Sequence, residues 1–357
     1  MTESEENSID AYKRDNEYLD EKEWEAIDRL TREYEKLTEP DAIAKAGNAI
    51  GSIMPKQITQ LGKSLGGAVA EQRVFEEAMK VIAKGFKIVE QQAAKTTVNE
   101  ADIIAKVNEI VDDREVTCLE EVCFARSYAV AKLIEKERAL HLGAAFVEGA
   151  ATGAPGFAGI PFNLVLSTFL YYRAVQSVAM YYGYDVKNNP DELAIASEVF
   201  SIAMSPSHDG GDEFAGAIGK ILVLSEATML KQTVKKGWQE MASRGGVALL
   251  IVQMRALAHK SAQKALQKAG EQGIEGVLFR SVFEQIGKKL TQKAVQRAIP
   301  VVSAALGAAF DTAQMNTVIG VANVFYHKRF IAEKALRIQR LEDPDFAQVE
   351  LVECVGD

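Results

Sequence analysis

The chain has 357 residues with 50 acidic against 41 basic side chains, a formal charge of −9. That length admits a large core or two domains, but no Pro/Ser-rich linker divides it, and the acidic balance excludes bulk nucleic-acid binding. Cys118, Cys123 and Cys354 are too few and wrongly spaced for a disulfide framework or a cysteine zinc site, so they read as reduced cytosolic thiols.

The charge is not evenly spread. Residues 1 to 40 hold 14 acidic and 6 basic side chains, a balance of −8, which leaves the other 317 at −1. No apolar segment resembling a secretory leader interrupts this acidic start, so a cytoplasmic protein is expected. Over residues 9 to 38 the large apolar groups Tyr18, Trp24, Ile27, Leu30, Tyr34 and Leu37 fall on one helical stripe. This predicts a peripheral helix docked by one face and ended by Pro40. The rest reads as one helical domain over 41–345 with a short tail, 346–357.

Helical periodicity resumes from about Ala70 to Ala94. Thr97-Val98-Asn99-Glu100 and Thr117-Cys118-Leu119-Glu120 have capping-box spacing and predict helix starts. The helix from Thr117 runs to the glycines after Leu140. Pro155, Gly156, Gly159 and Pro161 make a turn, and a second apolar helix spans Pro161 to Tyr182, forming a hairpin. Asn189-Pro190-Asp191-Glu192 supplies an N-cap, a proline at the first helical position and acids in the first turn of a helix to Met204. Beyond a polar loop, helices are predicted over 212–230, 233–243, 246–269, 274–297 and 300–340. No period-two run competes, so the predicted fold is all-α, a multi-helix bundle with two Gly/Ala-rich apolar hairpins packed in its core.

Within those hairpins ionisable residues are rare. From Ala139 to Tyr172 only Glu148 and His141 interrupt the run, with Arg173 closing it, and from Ala298 to Tyr326 only Asp311 does. Spontaneous membrane spanning is disfavoured, because Arg173 costs about 2.5–3.5 kcal/mol near the centre of its segment. A buried guanidinium needs an acid, so Arg173 is expected against Glu148, in preference to Asp311. Asp185, after Gly183-Tyr184, is a further candidate buried charge.

Other motifs weigh little. Gly210-Gly211-Asp212-Glu213-Phe214 spells a cyclase signature, but its flanks are helical and it reads as a glycine loop before a helix. Gly62-Lys63-Ser64 lacks the glycine and strand of a phosphate loop. His208, Asp209 and Asp212 read as a solvated loop, and neither a metal nor a cofactor is expected. A locally basic region is better organised: residues 231–299 hold 13 Lys/Arg against 4 Asp/Glu. Lys260, Lys264 and Lys268 share one helix face, while Lys288, Lys289 and Lys293 follow in the next helix. There the opposite face carries Leu278, Phe279, Val282, Phe283, Ile286 and Leu290. Such a helix can lie on anionic lipid with its apolar side inserted, or pack that side into a core.

Gly153-Ala154-Pro155-Gly156 running to Pro161, the apolar helix with Arg173, and Tyr181-Tyr182-Gly183-Tyr184-Asp185 resemble the glycine-rich hairpin and YGYD-like close of the EcsC family. Ala298 to Val302, Gly307-Ala308-Ala309, Asp311 and Tyr326 to Phe330 resemble that family's second block. The likeness covers most of residues 70 to 340 and leaves the acidic helix outside it. It implies a helical cytoplasmic protein connected with membranes, in a family named for an association with a transporter operon, and it carries over no catalytic residues. The expected function is therefore non-enzymatic, at the cytoplasmic face of a membrane, with anionic lipid or a membrane protein as partner. The alternative is an enzyme, such as a hydrolase, whose cleft is lined by Glu148, Arg173, His208 or Asp311.

Overall fold

A computed structural model describes residues 18–39, 68–93, 99–111, 114–138, 160–205, 213–225, 241, 245–297 and 303–342; the side chains described exclude 68, 70, 160 and 293–312. Asp20 opens helix α1 (Glu21–Thr38). Its carboxylate accepts from the Glu23 amide at 2.9 Å, while the Glu23 carboxylate accepts from the Asp20 amide at 3.1 Å, a reciprocal box that satisfies two orphan donors. Ile27, Leu30 and Tyr34 of the predicted stripe are buried, and Trp24 and Leu37 pack at its edge.

Helices α2 (Ala68–Ala93) and α3 (Glu100–Asn108) follow, the latter capped by Asn99, whose side chain accepts from the Asp102 amide. An α-helix does not start at Thr117. The Thr117 amide and hydroxyl both bond to Glu121, at 2.7 and 2.9 Å, so the responding acid stands four residues on rather than three. Leu119–Phe124 consequently forms a 3-10 turn, and α4 begins only at residue 127 and runs to 138.

Next come α5 (Ile160–Tyr181) and α6 (Pro190–Met204). Asn189 caps α6 by accepting from the Asp191 and Glu192 amides, with Pro190 at the first position, as its sequence predicts. Helix α7 (Glu213–Leu222) stops well short of residue 230. The Lys328 ammonium takes the Leu222 and Leu224 carbonyls at 2.5 and 2.7 Å, closing the negative end of that helix from another element. Helices α8 (Gly246–Lys268) and α9 (Gly273–Arg297) are joined by a short 3-10 turn, and α10 (Ser303–Glu342) is the longest. The predicted helix over 233–243 and both hairpin turns lie outside the described residues, apart from Met241.

The described residues make an all-α bundle without strands. At 40 residues α10 extends about 60 Å, and from Met315 to Ile338 it is buried almost throughout by α1, α5, α6 and the 3-10 turn. The second arms of both predicted hairpins, α5 and α10, thus pack against each other inside the protein. Phe86, Phe169, Phe279, Tyr172 and Phe200 form a second centre where α2, α5, α6 and α9 meet, with Phe169 edge-on to Phe86 and Phe279 at 5.1 and 5.0 Å. At Gly287 a side chain would strike the Phe75 ring, so that glycine is what lets α2 and α9 approach.

That packing decides one alternative of the sequence reading. Leu278, Phe279, Val282, Phe283, Ile286 and Leu290 are all buried against the protein's own helices, so the apolar face of α9 is core and is not offered to lipid. Among the described residues no helix is long and apolar enough to cross a membrane.

Candidate functional site

The densest chemistry lies inside α10, just past the apolar run. His327, Lys328, Arg329, Glu333, Lys334 and Arg337 are all buried, an arrangement tolerated only when each charge is matched. Arg329 makes a fork with Glu192 of α6, both bonds at 2.6 Å, and its Nε reaches Glu333 at 3.0 Å. Arg255 of α8 meets the other Glu333 oxygen at 3.2 Å. Although burial pushes the Glu333 carboxyl up, Arg255 and Arg329 outweigh it and hold the group down to about 2. One turn on, Lys334 donates to Glu23 of α1 and to the Ala125 carbonyl, both at 2.9 Å. Lys328 has no carboxylate; it donates to the Thr31 hydroxyl at 2.6 Å as well as to the two carbonyls that end α7. These bonds tie α1, α6, α7 and α8 to one spine.

His327 is the exception to charge. Its Nε2 meets the Ser127 hydroxyl at 3.0 Å, its ring stacks on Tyr182, and its Nδ1 has no partner. Burial, with Arg29 adding to it, pushes the imidazole down to about 3, so it is neutral at physiological pH. The Ser127–His327 contact resembles a nucleophile and base only on paper, because both residues are buried away from solvent.

Arg173 meets two acids that its sequence context does not single out. Its Nη2 lies 2.9 Å from Glu275 of α9 and 3.6 Å from Glu90 of α2, while Gln176 donates to the other Glu275 oxygen at 2.8 Å. Both of these described acids lie outside the uncharged runs, because α9 and α2 pack against α5 at that level. Glu148 and His208 lie outside the described residues, as does the side chain of Asp311. Asp185 is partly exposed and closes a turn, accepting from the Lys187 and Asn188 amides at 3.0 Å each. Arg173→Met is expected to cost about 2–3 kcal/mol, below a fully buried pair because water reaches its edge. A double-mutant cycle with Glu275→Gln, followed by urea denaturation, should show positive coupling; additive losses would dissolve the pair.

The third feature is a basic face beside a polar cleft. Lys260, Lys264 and Lys268 are exposed on α8 at four-residue spacing and Lys288 is exposed on α9; none of the four makes an ion pair with a described residue. Lys289 donates to Ser205 at 2.9 Å, and the side chain of Lys293 lies outside the described residues. A cleft of about 260 Å³ opens among α6, α7, α8 and α9. Its floor is Ala194, Phe214, Leu278 and Val282, and its polar lining includes Lys260, Lys264, Ser261, Ser281, Gln285, Glu198 and Glu213. No group of three or more His, Cys, Asp or Glu that could hold a metal occurs among the described residues.

The model of the EcsC protein family matches residues 21–331, most of the chain. The chain belongs to the EcsC family. No curated protein and no solved structure matches it. The match begins at the first residue of α1, so that helix falls within the family's span, contrary to the sequence reading, and it packs against α10. The YGYD-like close of this EcsC protein is a corner built for α10. Gly183 has φ +78°, and a Cβ there would strike the Leu119 carbonyl and come within 2.9 Å of Val122. The freed space admits Arg337, which donates to the Tyr182 and Gly183 carbonyls at 2.9 and 3.0 Å. Tyr184 lies beneath both Arg329 and Arg337, 3.9 and 4.8 Å from its ring centre, and its hydroxyl donates to Glu333.

Sequence reasoning missed this spine because charges directly after Tyr326 look like the solvated end of a helix. One signal was present: Arg329 and Glu333 stand four residues apart on α10, as an ion pair requires. The cleft had no comparable signal, since Ser261, Ser281 and Gln285 are ordinary surface types in any helix.

Proposed function

We propose that this EcsC protein is non-enzymatic and acts at the cytoplasmic face of a membrane, adsorbing to anionic lipid through the lysine face of α8. The observation that carries the proposal is the exposed row Lys260, Lys264 and Lys268, left without ion pairs in a protein that matches nearly every buried charge. The contact is electrostatic and does not involve insertion, because the apolar faces of α8 and α9 are occupied by the core. Each lysine near an anionic surface contributes about 1 kcal/mol. The three together therefore set a partition coefficient roughly a hundredfold above that of a neutral vesicle.

Sedimentation with anionic vesicles at low salt should retain the protein, and 1 M salt, where the screening length is about 3 Å, should release it. Changing Lys260, Lys264 and Lys268 to Glu should abolish retention with the unfolding midpoint unchanged. Equal retention on neutral vesicles would end the proposal, and retention by the triple variant would move the contact elsewhere. A transporter or other membrane protein as the partner would show as co-purification that survives removal of anionic lipid.

A further inference from the structure

The lysine face does not stop at the surface, since Lys260 and Lys264 also line the cleft among α6, α7, α8 and α9. That cleft differs from the ordinary small-molecule pocket. At about 260 Å³ it lies just below the roughly 300–1,000 Å³ range that holds drug-sized ligands, and its rim is polar where such pockets are mainly apolar. A small polar ligand fits it; an acyl chain or an aromatic cofactor does not.

The lining is sorted by wall. Donors come from α8 and α9: the Lys260 and Lys264 ammonium groups, the Ser261 and Ser281 hydroxyls, and the amide of Gln285. Gln285 is already oriented for this, because its carbonyl oxygen accepts from Ser201 at 3.2 Å and its NH2 remains to donate. Ser197 is a lining residue of another kind: its hydroxyl is committed to the Leu193 carbonyl at 2.7 Å and to Tyr172 at 2.8 Å. Carboxylates come from α6 and α7, as Glu198 and Glu213, of which Glu213 is exposed and Glu198 already has an interaction of its own.

Among the described residues, two ammonium groups against two carboxylates leave the lining without net charge. A bare anion would gain at one wall and be repelled at the other, whereas a ligand with an anionic and a cationic end gains at both. Lysine ammonium groups flanked by hydroxyl and amide donors suit a phosphate, which offers several strong acceptor oxygens. From this sorting we infer that the cleft binds a zwitterionic phosphate ester, its phosphate between α8 and α9 and its ammonium toward Glu213. The inference deepens the proposed membrane function and rests on it in one respect, namely that a phosphoethanolamine headgroup in the bilayer would be the source. A free phosphoethanolamine ester presents the same chemistry.

Titration calorimetry on the full chain with glycerophosphoethanolamine, glycerophosphoglycerol and inorganic phosphate separates these terms, the two diesters sharing one phosphate charge. The zwitterion should bind about tenfold more tightly than glycerophosphoglycerol, the worth of one added charge-assisted contact. Glu213→Gln should erase that preference, and Lys264→Gln should weaken both esters about tenfold. Ser281→Leu should fill the cleft and abolish binding, with thermal unfolding confirming the fold in each variant. No heat with any ester overturns the cleft as a site, and equal affinity for the two esters, or a preference that survives Glu213→Gln, overturns the zwitterion. A parallel vesicle arm compares anionic lipid alone with anionic lipid plus phosphatidylethanolamine. Salt-sensitive adsorption to both without headgroup binding in solution would refute this inference and leave the membrane proposal standing. Headgroup binding in solution without adsorption to any vesicle would uphold the cleft and assign it a soluble ester instead.

Discussion

Arg329→Met is expected to destabilise the protein by about 3–5 kcal/mol, the cost of stranding buried carboxylates by removing one side of a pair. Arg329 is fully buried, and its loss leaves Glu192 without its fork and Glu333 with Arg255 and the Tyr184 hydroxyl alone. Methionine keeps most of the volume, so cavity formation adds little and the effect reports the charge. Urea unfolding should show a lower midpoint at unchanged slope, as expected when stability changes and the exposed surface does not. The double variant with Glu192→Gln should recover part of the loss, because the stranded carboxylate is then neutral. A midpoint equal to that of the parent would mean that the network of α10 contributes specificity of packing without contributing stability.

Acid should unfold this protein earlier than its carboxylates alone would require. His327 is held neutral in the fold, pushed down to about 3 by burial and then by Arg29, against an ordinary value of 6.5. Above 6.5 neither state binds the proton. As pH falls below that value the unfolded chain binds a proton that the fold refuses, so stability is lost progressively from about 6.5 down to about 3. Each pH unit costs about 1.4 kcal/mol, and the full window accumulates about 5 kcal/mol. Glu333 extends the trend. Its folded value of about 2 lies below the ordinary 4.5, so its contribution is intact above 4.5 and lost as pH falls toward 2. Stability measured by urea at half-unit steps from pH 7.5 to 4.5 reads the histidine by difference from a His327 variant, because Lys328, pushed down to about 7 by burial, and the raised carboxyls of Glu275 and Glu33 contribute equally to both proteins. His327→Gln, which can still meet Ser127, should flatten that slope while leaving stability above pH 7 within about 1–2 kcal/mol of the parent. A parent profile already flat over this range would contradict the buried neutral imidazole.

What the sequence determined by itself was local. Asn189-Pro190-Asp191-Glu192 opens α6 where its cap chemistry says it must, since the cap bonds only its own next few amides. The charge-poor stretches ending at Tyr172 and Tyr326 lead into the buried helices α5 and α10, because no solvated helix omits charge for so long. The order of the Gly-Pro-rich turn, the YGYD-like close and the second block was enough to place the family. The tertiary structure alone decided which charges meet. Arg173 finds Glu275 and Glu90 because α9 and α2 cross α5 at its level, and Lys334 finds Glu23 of a helix more than 300 residues away in sequence. The end of α7 is likewise set from outside, by Lys328. Periodicity and caps act over one or two turns of chain, whereas a buried charge is admitted only where a distant element brings its partner. The cleft of α6, α7, α8 and α9 arises from the same cause, as a property of how four helices meet and of no one of them.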